Sequence, residues 1–150
     1  MNDEAWLHRS LCLLWIGAFI IFDYLSLVNM ETYQFEKLTA WQKAKELAIA
    51  VYRLVAKFPQ FEQYALSSQV RRATISVPSN IAEGTGRVSV KEKTHFLEIS
   101  YGSLLETYCQ LQIAAELGYI SNDDLEAIKP LFFETSRLIS GLRNSYTSKL

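Results

Sequence analysis

Apolar residues recur every three or four positions along four segments of this chain, and that spacing is typical of one face of an α-helix. The first stripe runs from Trp41 to Phe58, and Pro59 is expected to end the helix because proline lacks a backbone donor. Thr39 and Gln42 have the spacing of a capping box, in which two side chains satisfy free amides at a helix start. We therefore predict that the first helix begins at Thr39.

The second segment, Tyr64–Thr85, contains a stretch that is difficult to assign. Residues 74–77 are rich in β-branched side chains and Pro78 follows them, so this stretch taken alone could be a strand. A lone strand would have no partner in this chain, and the two glycines at positions 84 and 86 suit a helix end. The segment is predicted to be a kinked helix.

The third and fourth segments begin with clear capping signals. Ser89 and Glu92 form a capping box before a long apolar stripe that stops at Gly118, and the fourth helix opens near Ser121 or Asn122. A kink is expected at the proline of position 130. Because short connections make successive helices antiparallel, the predicted fold is all-α, an antiparallel up-down-up-down four-helix bundle within residues 30–150.

Residues 1–29 stand apart from this pattern. The apolar run Leu11–Phe22 has only 12 residues, short of the roughly 20 that a membrane-spanning helix needs, and Asp23 follows it. The residues before the run lack the positive region of a signal peptide. We expect an over-extended N-terminus with translation starting at Met30; a membrane anchor and an extra apolar helix outside the bundle are the alternatives.

Candidate catalytic and metal-binding groups are few. Glu92 and His95 have the Glu-x-x-His spacing of a di-iron bundle, but that site needs a second such pair, and the other histidine is His8. Cys109 lies in the middle of the third helix and is expected to be an inert core thiol. We predict no metal, no cofactor and no enzymatic activity, and the two distant cysteines fit a cytoplasmic protein.

Charge and polarity single out two sets of residues. The net charge of −1 shows no excess of basic residues, so a basic surface that could bind nucleic acid must come from an uneven distribution of the charges. Five basic residues near the second inter-helix turn are either a solvated rim or, multiplied in an oligomer, a surface for RNA or DNA: Arg71, Arg72, Arg87, Lys91 and Lys93. A polar face on the second helix and small residues on the third are either solvated or a subunit interface: Arg72, Asn80, Glu83, Gly102 and Ser103.

Several of these residues belong to a recognisable pattern. The segments that carry it are Gln69–Ala73, Ser76–Gly84, Phe96–Glu106 and Leu117–Tyr119. Together they resemble the bacterial four-helix bundle family called 23S rRNA intervening-sequence proteins, sometimes labelled as ribosomal-protein-like. The resemblance covers about residues 35–145, and residues 1–29 have no counterpart in it. It implies a role in packing and assembly for the same interface residues and adds Glu106 to them.

The resemblance implies a small bundle that assembles into a ring, a homopentamer, encoded in some bacteria within insertions in the large-subunit rRNA gene. The family is also similar to accessory bundles of diversity-generating retroelements, which bind nucleic acid and a reverse transcriptase through a basic pentameric surface. The leading hypothesis is thus a non-catalytic homo-oligomer that binds RNA or DNA nonspecifically. The alternative is an adaptor ring that docks a partner enzyme such as a reverse transcriptase, with nucleic acid incidental.

Overall fold

The structure is a computed structural model that describes residues 32–148, so the predictions about residues 1–29 lie outside the described residues. Four α-helices make up most of this part: α1 (Thr39–Val55), α2 (Leu66–Thr85), α3 (Val90–Glu116) and α4 (Asn122–Thr147). Short 3-10 turns precede α1 and α2, at Gln34–Lys37 and Gln60–Glu62.

Each helix packs against its neighbours in sequence, and α1 also packs against α4. The apolar stripes meet in one core, where the largest fully buried side chains include Leu47, Ile81, Leu97, Leu104, Leu111 and Ile139. These residues are the ones that the helical spacing selected. The predicted all-α four-helix bundle is confirmed.

Helix α1 begins at Thr39 as predicted, but its capping and its end differ from the prediction. The capping box of Thr39 and Gln42 is wrong, because Leu38 is the N-cap and no side chain caps the helix there. The side-chain amide of Gln42 instead donates to the backbone carbonyl oxygen of Glu36, 2.9 Å away in the preceding 3-10 turn. The helix ends at Val55, ahead of Pro59, because the chain tightens into a turn that buries Phe58.

The difficult stretch 74–77 is helical and lies inside α2, as does Pro78. Thr74 and Val77 are buried between helices, so packing outweighs the weak helix preference of β-branched residues. The helix ends at Thr85, with Gly86 as its C-cap. The prediction of a helix rather than a strand is confirmed.

The later helix ends follow their predicted caps. The Ser89 hydroxyl accepts a hydrogen bond from the Glu92 backbone amide at 3.2 Å, but the Glu92 carboxylate bonds to that hydroxyl and not to the Ser89 amide, so half of the predicted capping box forms. Ser121 forms a complete capping box with Asp124. Gly118 has a φ of 74°, a left-handed conformation that glycine adopts without strain, and it reverses the chain after α3. These caps fix where α3 begins and ends and where α4 begins.

Candidate interaction surfaces

The contact between α2 and α3 is close and is built from small polar side chains. Ser100 donates to the Val77 carbonyl at 2.8 Å, and the Ser76 and Ser103 hydroxyls lie 2.8 Å apart. The Asn80 amide donates to the Ser76 carbonyl and hydroxyl, at 2.7 and 2.8 Å. Two residues of the predicted subunit interface, Asn80 and Ser103, thus hydrogen-bond within the chain.

The other residues of that predicted interface lie on the outside of the helices. Arg72 donates to Ser68 at 2.9 Å, and Glu83 accepts from Arg87, which follows the end of α2. Gly102 is exposed, and a Cβ atom added there would meet nothing within 4 Å. Glu106 is exposed beside it on α3. These four positions are therefore accessible to a partner.

Gly84 has a role that the sequence pattern did not indicate. A Cβ atom at this position would lie 3.1 Å from the Cβ of Phe96, closer than such atoms normally approach. The glycine therefore permits the close approach of α2 and α3 near their connecting turn. The prediction that Gly84 helps to stop the helix is wrong, because Gly84 lies inside α2 and Gly86 is the C-cap.

The five predicted basic residues fall into two groups. Arg71 and Arg72 lie in the second turn of α2, whereas Arg87, Lys91 and Lys93 lie around the turn between α2 and α3. Fifteen positions separate Arg72 from Arg87, which is about 22 Å along a helix at 1.5 Å per residue. The structure therefore does not bring the five side chains together in one patch.

Arg71 and Arg72 line a concavity of about 630 Å³ together with aromatic side chains. Tyr52 at the end of α1 and Tyr64 just before α2 are the aromatic members, and 91% of the Tyr64 surface is exposed. Sequence analysis missed both tyrosines, because they lie 19 and 7 positions before Arg71 and only the packing of α1 against α2 brings Tyr52 to the arginine pair. We call Tyr52, Tyr64, Arg71 and Arg72 the arginine-tyrosine surface.

The second basic group is partly engaged within the chain. The Arg87 guanidinium stacks 4.5 Å from the centre of the Phe96 ring and pairs with Glu83. The Lys93 ammonium lies 5.4 Å from the centre of the Tyr146 ring. Lys91 is exposed. These contacts leave the second group less available than the arginine-tyrosine surface.

An apolar groove of about 760 Å³ runs between α1 and α2. Ile49, Tyr52 and Ile75 line it with 49%, 40% and 46% of their surfaces exposed, beside Trp41 and Pro78. Lys45 and Arg53 also line the groove, with Lys45 lying 4.7 Å from the centre of the Trp41 ring. We call this the α1–α2 groove.

A second stripe, which sequence analysis also missed, runs along the outside of α3. Its members alternate spacings of three and four, the same signal as the buried stripe: Ile99, Gly102, Glu106, Cys109 and Ile113. All five are exposed, so the expectation that Cys109 is a core thiol is wrong, because α3 turns this position away from the bundle. We call these five residues the α3 ridge.

Further along the bundle surface, α3 and α4 expose Leu105 and Phe133. They border a shallow cavity of about 130 Å³ that also includes Tyr101 and Tyr108. Phe133 is 61% exposed. This third apolar surface, the Leu105–Phe133 surface, is separate from the α1–α2 groove.

Residues 32–148 hold no cluster of three or more histidine, cysteine, aspartate or glutamate side chains arranged to bind a metal ion. His95 is exposed, with its ring against that of Phe96. In the same part of the chain, no helix has the length and apolar character needed to cross a membrane.

Comparison with known proteins agrees with this architecture. The model of the family described as 23S rRNA-intervening sequence protein matches residues 36–141, which is more than two thirds of the chain. A crystal structure of a protein of unknown function from the S23 ribosomal protein family of Bacteroides thetaiotaomicron superimposes with a TM-score of 0.62 at 21% identity, covering 70% of this chain and 98% of that one. No curated protein matches the chain significantly.

Proposed function

Since the chain belongs to the 23S rRNA-intervening sequence protein family, we propose that it is a non-catalytic, homo-oligomeric bundle that binds RNA or DNA without sequence specificity. The observation that carries this proposal is the arginine-tyrosine surface. Proteins that bind single strands nonspecifically combine cationic side chains, which follow the phosphates, with aromatic rings on which bases stack. Arg71, Arg72 and Tyr64 supply both kinds of group in one concavity, and Tyr52 lies at the edge that this concavity shares with the α1–α2 groove.

The homo-oligomer is an essential part of this proposal, because one copy offers only a small basic area on a nearly neutral protein. Residues 32–148 contain 13 lysines and arginines against 12 acidic residues. Repetition of the arginine pair around an assembly would multiply the local positive potential without changing the net charge per chain. The Arg87, Lys91 and Lys93 group would add a second, weaker contact to the same strand.

The test is a binding titration with single-stranded RNA and DNA of mixed sequence at several salt concentrations. We expect affinity that falls steeply with salt, since bound phosphates release counterions. Arg71→Glu/Arg72→Glu should weaken binding and lower the salt slope by about 1 for each lost phosphate contact. Tyr64→Ala should cost about 1–3 kcal/mol if a base stacks on its ring.

The matched control is Arg137→Glu/Arg143→Glu, which reverses two arginines on α4, outside both basic groups. This variant should keep most of the affinity. Arg87→Glu/Lys91→Glu should have an intermediate effect. Binding that is absent, that does not depend on salt, or that responds equally to all three double variants would contradict the proposal.

The Leu105–Phe133 surface favours a second candidate function, an adaptor that docks a partner protein. Two large apolar side chains exposed side by side are typical of the centre of a protein contact. In that case a partner recovered stoichiometrically after nuclease treatment should be lost from Leu105→Glu/Phe133→Glu and retained by Arg71→Glu/Arg72→Glu. The reverse pattern would support nucleic acid as the ligand.

A further inference from the structure

The α1–α2 groove and the α3 ridge are complementary surfaces on the same chain, and neither is covered within residues 32–148. Exposed apolar side chains that lie singly are ordinary, but Ile49, Tyr52 and Ile75 line one continuous concavity. A contiguous apolar surface of this kind marks an interaction site more often than a solvated face. The question is which occupant fits it.

The α3 ridge has the residue spacing of a helix that docks in such a groove. Ile99 and Ile113, exposed by 39% and 47%, stand at its two ends, and Gly102 leaves a gap between them. The ridge spans 14 residues, about 21 Å, and the groove positions from Trp41 to Tyr52 span 11 residues of α1, about 17 Å. A helix lying in a groove with apolar residues at spacings of three and four is a common recognition mode.

The charges of the two surfaces are opposite in sign. Lys45 and Arg53 line the groove. Residues 94–120, which contain the ridge, include no lysine or arginine and carry Glu98, Glu106 and Glu116. Groove against groove would bring cations together, and ridge against ridge would bring carboxylates together, so only the unlike pairing is favourable.

We propose that the α3 ridge of one copy docks in the α1–α2 groove of the next copy. The contact is heterologous, because it joins two different surfaces, and every copy keeps one free groove and one free ridge for its neighbours. Such contacts either close into a ring or continue as a filament. This inference rests on the homo-oligomer of the proposed function and assigns its two surfaces.

The experiment uses two variants of the full chain that each block one surface. Ile49→Glu/Ile75→Glu places carboxylates in the groove, and Ile99→Glu/Ile113→Glu places them on the ridge. All four side chains are exposed, so both variants should fold, which the helical signal and a cooperative melting transition verify. Mass is measured by light scattering after nuclease treatment. We expect the wild type to be a multimer and each variant to have the mass of one 17.2 kDa chain.

Mixing the two variants gives the decisive measurement. The intact ridge of the groove variant can still enter the intact groove of the ridge variant, but the resulting pair has no further working surface. An equimolar mixture should therefore shift to the mass of two chains and stop there. The matched control, Leu105→Glu/Phe133→Glu, changes two other exposed apolar residues and should remain a multimer.

Each contrary result identifies what has failed. Multimeric single variants, or a mixture that stays monomeric while the wild type is a multimer, would overturn the assignment of surfaces and leave the homo-oligomer standing. A wild type that is monomeric at all concentrations would overturn both. Nucleic-acid binding is judged separately, by the Arg71→Glu/Arg72→Glu titration.

Discussion

Helix α2 meets its two neighbouring helices in different ways. Toward α3 it presents small side chains such as Ser76 and Gly84, and the two helices come close enough for hydroxyls to hydrogen-bond across the contact. Toward α1 it presents Ile75 and Pro78, which line a groove with large, half-exposed side chains. Helices α2 and α3, which meet through small residues, bury the surface between them. Helices α1 and α2, which meet through large residues, leave apolar surface exposed that another molecule can contact.

The largest effect should come from enlarging a residue in the closed contact. Ser100 is fully buried and donates to the Val77 carbonyl, so Ser100→Leu adds volume where the helices touch and removes a hydrogen bond. Overpacking costs about 1–3 kcal/mol and the lost bond adds to it. We expect urea unfolding to show a loss of about 3 kcal/mol.

The matched control for that change is Ser79→Leu, on the side of α2 that lines the α1–α2 groove. Ser79 is exposed and lines the α1–α2 groove, so the added side chain has room. Measured in the Ile99→Glu/Ile113→Glu background, in which the groove stays empty, its unfolding free energy should change by no more than about 0.5 kcal/mol. Equal destabilisation by the two leucines would contradict the contrast between the two sides of α2.

Two of the helical glycines, Gly84 and Gly102, allow the next comparison. Gly84→Ala brings a methyl group to 3.1 Å from the Phe96 Cβ, which cannot rotate away, and should destabilise the fold by about 1 kcal/mol despite the better helix preference of alanine. Gly102→Ala meets nothing within 4 Å and should stabilise it by about 0.5–1 kcal/mol. Both glycine variants are made in the Ile49→Glu/Ile75→Glu chain, in which the groove is blocked. Their thermal unfolding then reports the stability of the fold without a contribution from assembly.

A smaller effect is expected from removing one hydroxyl of the closed contact. Ser103→Ala deletes the partner 2.8 Å from the Ser76 hydroxyl, which keeps its contact with Asn80. The expected loss is about 0.5–1 kcal/mol in denaturant unfolding. Ser79 is exposed to solvent, so Ser79→Ala in the Ile99→Glu/Ile113→Glu background should leave the free energy of unfolding unchanged. If Ser103→Ala also leaves it unchanged, the pair of hydroxyls at Ser76 and Ser103 contributes little to stability.

The smallest effect concerns pH. The hydrogen bond from Lys57, 2.7 Å away, and the amide of Ser121 hold the pKa of Asp124 below its ordinary value of 3.8. The folded state therefore favours the carboxylate, so this stabilisation is present above the unfolded pKa and is lost as pH falls through the folded value. The stability difference between wild type and Asp124→Asn should shrink as pH falls below 3.8. A difference that stays constant down to pH 2 would contradict this.

Part of the candidate site could be read from the chain, and part could not. Gly102 and Glu106 are indicated by the sequence pattern and lie on the α3 ridge. Ile99, Cys109 and Ile113 are not, because the buried apolar stripe dominates the pattern of α3 and the exposed stripe is interrupted by Gly102 and Glu106. The five basic residues are close in sequence, yet a helix separates Arg72 from Arg87 by about 22 Å. Proximity along a helical chain does not make a surface patch.

The sequence by itself determined the four helices, their core residues and most of their caps, because apolar periodicity and capping residues act locally or through one shared core. Only the tertiary structure decided how α2 divides its contacts. Whether Ser103 faces a neighbouring helix or a partner, and whether Ile75 is covered, depends on how closely the helices pack, and that distance is set by side chains from different helices acting together.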